Sequence, residues 1–249
     1  MLEALWWGTA AGSTLIVGAL IGCFVRLPRR LTAAVMAAGA GVLFAAVAYD
    51  LVGEAATSGT LVHTAIGMAS GSLAFFVGDV LVSRAGGGSR KRSNPFGGTA
   101  SRAAAAGASG AVLAFGAFLD GVPESAAIGV TLLHGGTPSV AFVVAVALSN
   151  LPEGLSSSVA MRRHGHGVGY VLTVWAAIVV SSGVAAALGY AALGGTSVGT
   201  QAFMLSFAAG AVLTMVASTM LPEAAEDGGP VIGLVATAGF LASVLLDRL

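Results

Sequence analysis

The sequence predicts an all-α, polytopic membrane protein, with eight transmembrane helices forming one domain over residues 1–249 and related by inverted repeats. Three observations predict it. Hydrophobic residues make up 56% of the chain and charged residues 9%, with a mean hydropathy of +0.92, against roughly 25% charged residues in an average soluble domain. Apolar segments recur at about 4–25, 31–56, 61–83, 104–133, 139–161, 170–194, 200–222 and 231–247, each near the ~20 residues a helix needs to cross the hydrocarbon. The basic residues fall in alternate loops.

Taken in order, the first segment has Glu3 before it, with no basic leader and no clear cleavage site, so it reads as a retained span. Arg26, Arg29 and Arg30 follow it, Arg84, Arg90, Lys91, Arg92 and Arg102 follow the third, and Arg162 and Arg163 follow the fifth. Ten of the eleven Lys and Arg therefore share one side, which the positive-inside rule makes cytoplasmic, with both termini outside. The expected location is the cell membrane. The Gly/Ser/Arg-rich loop at about 84–102 reads as a flexible linker with a basic surface that touches anionic lipid, not nucleic acid. Cys23, the sole cysteine, reads as a core thiol. The 37 glycines and many alanines predict close helix packing.

Two stretches carry the chemistry: Asp120-Gly121-Val122-Pro123-Glu124-Ser125 and, 29 residues later, Ser149-Asn150-Leu151-Pro152-Glu153-Gly154. Each puts a carboxylate beside a proline inside an apolar segment, where a charge is costly and usually functional. Proline has no N–H, so Pro123 and Pro152 free the carbonyls of Leu119 and Leu148. Asp120 and Glu124 stand four residues apart, as do Ser149 and Glu153, so each pair shares a helix face. Oxygen-rich clusters of this kind suit metal cations; the same carboxylates also suit a proton relay. At 1.5 Å per residue Glu124 and Glu153 lie roughly 15 and 22 Å from the outer loop, well inside the bilayer. The alternative for them is a pair of protonated acids hydrogen-bonded between helices, and for Asn150 simple interhelical bonding.

Internal likeness adds to this. The stretch from Gly41 to Ala56 resembles that from Gly210 to Ala225, and the two segments cross in opposite senses. Antiparallel repeats with proline-interrupted helices are the pattern of secondary transporters. Asp50 and Glu54 fall near the outer end and Glu223 near the inner end, as for an entrance and an exit. His164 and His166 read chiefly as loop surface, with collection of metal as the alternative.

At these residues the chain resembles the ZIP family of divalent metal transporters, whose fourth and fifth helices carry His-Asn-x-Pro-Glu-Gly-type motifs. Segment six, Ser182 to Gly189, and the Leu221-Pro222-Glu223 end of segment seven are similar to further family patterns. The resemblance implies a midplane metal site shared by Glu124 and Glu153, and a homodimer. Asp120 and Ser149 stand where the family usually has nitrogen ligands, Ala186 where it has a glutamate, and Ser218 and Thr219 where it has an acidic or His pair. A two-metal centre is therefore not expected. One site from Asp120, Glu124, Ser149, Asn150 and Glu153 is, and its oxygen ligands favour ions such as Mn²⁺ or Mg²⁺ over Zn²⁺.

The expected function is movement of a divalent cation (Zn²⁺, Fe²⁺, Mn²⁺ or similar) toward the cytoplasm, with the metal as substrate and no prosthetic group. The runners-up are a non-transporting structural or regulatory relative and a passive cation channel. No nucleophile, base and oxyanion constellation points to an enzyme.

Overall fold

The computed structural model describes residues 1–25, 27–84, 110–135 and 139–246, and within 110–135 the side chains of residues 118 and 121–133. Arg26, the basic loop beyond Arg84, and the side chain of Asp120 lie outside the described residues.

Among the described residues all regular structure is helical: α1 (Leu2–Phe24), α2 (Arg29–Ser58), α3 (Leu61–Arg84), α4 (Gly110–Gly135), α5 (Val140–Arg163), α6 (Val168–Leu193), α7 (Val198–Gly228) and α8 (Val231–Leu246). Six are long and apolar enough to cross a membrane; α4 adds the apolar stretch Gly121–Leu133, and α8 is a further apolar helix of 16 residues. The architecture is that of a polytopic membrane protein with six to eight crossing helices.

Local chemistry sets several ends. Ser139 and Ser197 cap α5 and α7 by accepting from the N–H of Phe142 (3.1 Å) and Thr200 (3.2 Å). Gly229, at φ +70°, ends α7 in a conformation that favours glycine, and Pro230 follows. Arg162 and Arg163 occupy the last turn of α5, where cations complement the helix dipole.

The helices pack in two groups. In one, α1 lies along α5 and α6, and α4 lies along α6; in the other, α3 lies along α7, and α2 along α8 and the end of α7. Lighter contacts of α2 with α5 and of α4 with α7 join the groups. Four of the close pairs share one device. A Cβ on Gly18 would run into the carbonyl of Leu151, and one on Gly154 into that of Leu15, so α1 and α5 touch backbone to backbone. Reciprocal glycines do the same for α3 and α7 (Gly71, Gly210), α2 and α8 (Gly41, Gly239), and α4 and α6 (Gly129, Gly189). Small residues at helix crossings are how membrane helices gain packing energy, since lipid tails are as apolar as Leu. The expected role of the glycines holds at these positions.

Among the described residues two helices depart from α geometry. A π-helical segment spans Val47–Val52 in α2 and another Val216–Met220 in α7. Each begins six residues after a crossing glycine, Gly41 or Gly210, and a glutamate, Glu54 or Glu223, stands seven residues beyond its start. Such π turns re-aim side chains and are frequent at functional sites.

Gly154→Ala places a methyl group against the Leu15 backbone, and overpacking of this kind costs about 1–3 kcal/mol. Gly233, with nothing within 4 Å of its would-be Cβ, is the control. Thermal unfolding in lipid should show Gly154→Ala destabilised and Gly233→Ala unchanged or stabilised.

Candidate functional site

The site is built around the middle of α5. Pro152 is buried within the helix, so the Leu148 carbonyl has no N–H four residues on to receive. That carbonyl faces α2 where the partner helix has no side chain: a Cβ on Gly39 would lie 3.1 Å from it. Ser149, 2% exposed, donates to the Val146 carbonyl at 2.9 Å and keeps lone pairs available.

Helical spacing then divides the motif between two faces. Ser149, Pro152, Glu153 and Ser156 line a small cavity together with Met36 of α2 and Met215, Met220 and Glu223 of α7. Its volume is about 10 Å³, counted as room for the centre of a water-sized sphere, enough for a single water or bare ion. Asn150 instead points with Gly154 toward α1, where its Nδ2 donates to the Ala11 carbonyl at 3.2 Å. This bond fixes the amide and leaves Oδ1, on a side chain 3% exposed, with no hydrogen-bond partner among the described residues. A buried acceptor left unsatisfied costs about 1–3 kcal/mol, a cost that a cation or a water beside it removes.

Glu124 is 2% exposed and Ser125 4% exposed on α4, whose principal neighbour is α6. Gly121 stands against Ser182 of α6. Glu124 and Glu153 are thus both inside the helix bundle, the first fully and the second partly buried. Asp120 lies in the same helix as Glu124, with its side chain outside the described residues. Among the described residues no three His, Cys, Asp or Glu side chains gather as a metal cluster. The oxygens on offer come in part from Ser149 and Asn150.

Other positions resolve more simply. Ala186 is fully buried, and Gly8 of α1 and Gly129 of α4 both press on it, so helix contact fills this position. Ser218 and Thr219 donate to the carbonyls of Thr214 and Met215 in their own helix, at 2.6 and 2.5 Å. The two loop histidines are separately engaged: His164 Nδ1 sits 2.7 Å from the Ala160 carbonyl, and His166 stacks on Tyr170 with ring centroids 4.6 Å apart.

Sequence reasoning placed Glu223 at an exit and did not join it to Glu153. Its likeness to Glu54 within the repeated stretch was the available signal. The three methionines carried none, because an apolar residue in an apolar helix is unremarkable.

The two ends of the bundle differ. At the basic end a vestibule of about 660 Å³ opens between α1, α2 and α5, and Ser156 lines both it and the small cavity. At the other end Ser139 donates to Asp50 Oδ1 at 2.8 Å, tying the N-cap of α5 to the π segment of α2.

No family model matches the chain, and no curated protein matches it.

Asn150→Leu removes the interhelical bond and the unsatisfied acceptor together. Near-neutral stability, within about 1 kcal/mol, is expected in metal-free buffer. Divalent cation should raise the unfolding temperature of the original protein and not of Asn150→Leu, as read by thermal shift with and without Mn²⁺ or Zn²⁺.

Proposed function

We propose that this chain carries a divalent metal cation across the bilayer toward the cytoplasm, along polar groups of Asp120, Glu124, Ser149, Asn150 and Glu153 that α4 and two faces of α5 supply in succession. The observation that carries the reading is the Asn150 amide: pinned by Ala11, it holds an unsatisfied oxygen in the bundle interior one helical turn from Glu153. Together with a buried Glu124, this is a set of polar groups whose burial a bound cation offsets. Acids inside membrane helices mark ion pathways by default. The resemblance to ZIP transporters at the two proline-glutamate motifs points to the same substrate class.

Inverted repeats are part of the proposal. Exchanging α1 with α6, α2 with α7, α3 with α8 and α4 with α5 maps α1–α5 onto α4–α6, α3–α7 onto α2–α8, and α1–α6 onto itself, and the π segments of α2 and α7 start at matching positions. Repeats of this type bind substrate between them and alternate access by moving one helix group against the other. The vestibule at the basic end and the Ser139–Asp50 bond at the other fit an inward-facing arrangement. From Glu124 and Asn150 the ion passes to the cavity of Ser149, Glu153 and Glu223, then to the vestibule through Ser156. Protons taken up by Glu124 or Glu153 would weaken metal binding and promote release. Oxygen ligands favour Mn²⁺ and Mg²⁺, while the thioethers beside Glu153 widen the choice toward softer ions such as Zn²⁺.

The test is uptake into proteoliposomes from a panel of Zn²⁺, Fe²⁺, Mn²⁺, Co²⁺, Cd²⁺ and Mg²⁺. Saturable flux is expected for at least one ion, with Glu153→Gln lowering it at least about tenfold, the scale of one lost charge-assisted contact. Absence of flux for every ion, from protein shown to be folded, would overturn the proposal. Flux that rises linearly without saturation would assign a channel.

A further inference from the structure

The vestibule at the basic end has a chemistry of its own. Arg29, Arg162 and Arg163 line it, with Arg162 Nη1 also donating to the His166 carbonyl at 2.9 Å. Its other wall is apolar, built from Phe24, Leu155 and Val159. Phe24 is 69% exposed and Val25 49% exposed at the end of α1, so apolar side chains open outward at the same level as the guanidinium groups. A volume of about 660 Å³ is in the usual range for a bound small molecule.

Each half of the lining selects part of a ligand. Guanidinium forks match phosphate oxygens in pairs, at fixed geometry and with charge assistance. The apolar wall has no use for a free phosphate ion and suits hydrocarbon. Both requirements meet in an amphiphile with an anionic head, and basic pockets between membrane helices at headgroup level bind anionic lipid in this way.

We propose that this vestibule is a binding site for the phosphate headgroup of an anionic phospholipid, with its acyl chains leaving over the apolar wall at Phe24. The headgroup would bridge the two helix groups, because α1 and α5 belong to one and α2 to the other.

Cys23 is the chain's one cysteine and lines the vestibule, so its alkylation by an uncharged maleimide, followed by intact mass, reports occupancy in the full-length protein without any metal or flux. The protein is compared in vesicles of phosphatidylcholine alone, of phosphatidylcholine mixed with phosphatidylglycerol, and of phosphatidylcholine with inorganic phosphate. Phosphatidylglycerol should slow the reaction, and inorganic phosphate should not. Two variants should restore it: Val159→Trp, which fills the apolar wall and leaves every charge in place, and the double change Arg162→Gln with Arg163→Gln, where each lost arginine weakens retention about fivefold. Circular dichroism checks that each variant remains helical. Equal rates with and without phosphatidylglycerol, or slowing that persists in whichever variants fold, would overturn the proposal. Equal slowing by inorganic phosphate would reassign the pocket to a soluble anion.

Discussion

Backbone contact between α1 and α5 is the constraint on which the candidate site depends. Gly18 and Gly154 lack side chains at the points where each meets the other helix's carbonyls, at Leu151 and Leu15. The contact brackets Pro152 and Glu153, so it fixes both the depth of that pair and the rotation of α5 about its axis. With the rotation fixed, Asn150 must face Ala11, and Ser149 and Glu153 must face α2 and α7. A membrane interior supplies no hydrophobic force to hold such a rotation, and close packing supplies it instead.

The same constraint explains how the polar groups are distributed. A proline in mid-helix frees a carbonyl, and the Leu148 oxygen is accommodated because α2 presents Gly39 to it. Asn150 spends its donor on holding α1 and keeps its acceptor. Trp175, fully buried, directs its Nε1 to Ser158 at 2.7 Å and locks α5 to α6 on a third side. The α5 helix is thus held on several faces, while the face carrying Ser149, Glu153 and Ser156 borders a cavity. Rigid surroundings with one open face are what a binding site needs in order to keep its ligands in place.

Much of the fold was legible because its signals are local. Composition and the lengths of the apolar runs fix the membrane class, and glycine frequency anticipates the close crossings. The likeness between Gly41–Ala56 and Gly210–Ala225 anticipated a relation between α2 and α7, where a π segment now appears in each. The lesser parts of the site were not legible. Met36, Met215 and Met220 join Glu153 and Glu223 from two other helices, and nothing in their own sequence surroundings distinguishes them from core methionines. In the sequence the arginines of the vestibule read as orientation signals, and only the fold sets Phe24, Leu155 and Val159 in the same cavity.

By itself the sequence determined which residues are polar, how far along each helix they lie and which of them share a helix face, because rise and period within one helix follow from backbone geometry alone. Only the tertiary structure decided which way each face turns. These helices are apolar nearly all round, so no amphipathic stripe announces an inner side. The facing is set between helices, by where glycine lets two backbones touch. That is why the carboxylates of α4 and α5 could be read from the chain, whereas the closed position of Ala186, the pinned Asn150 and the cavity that Glu153 shares with Glu223 could not.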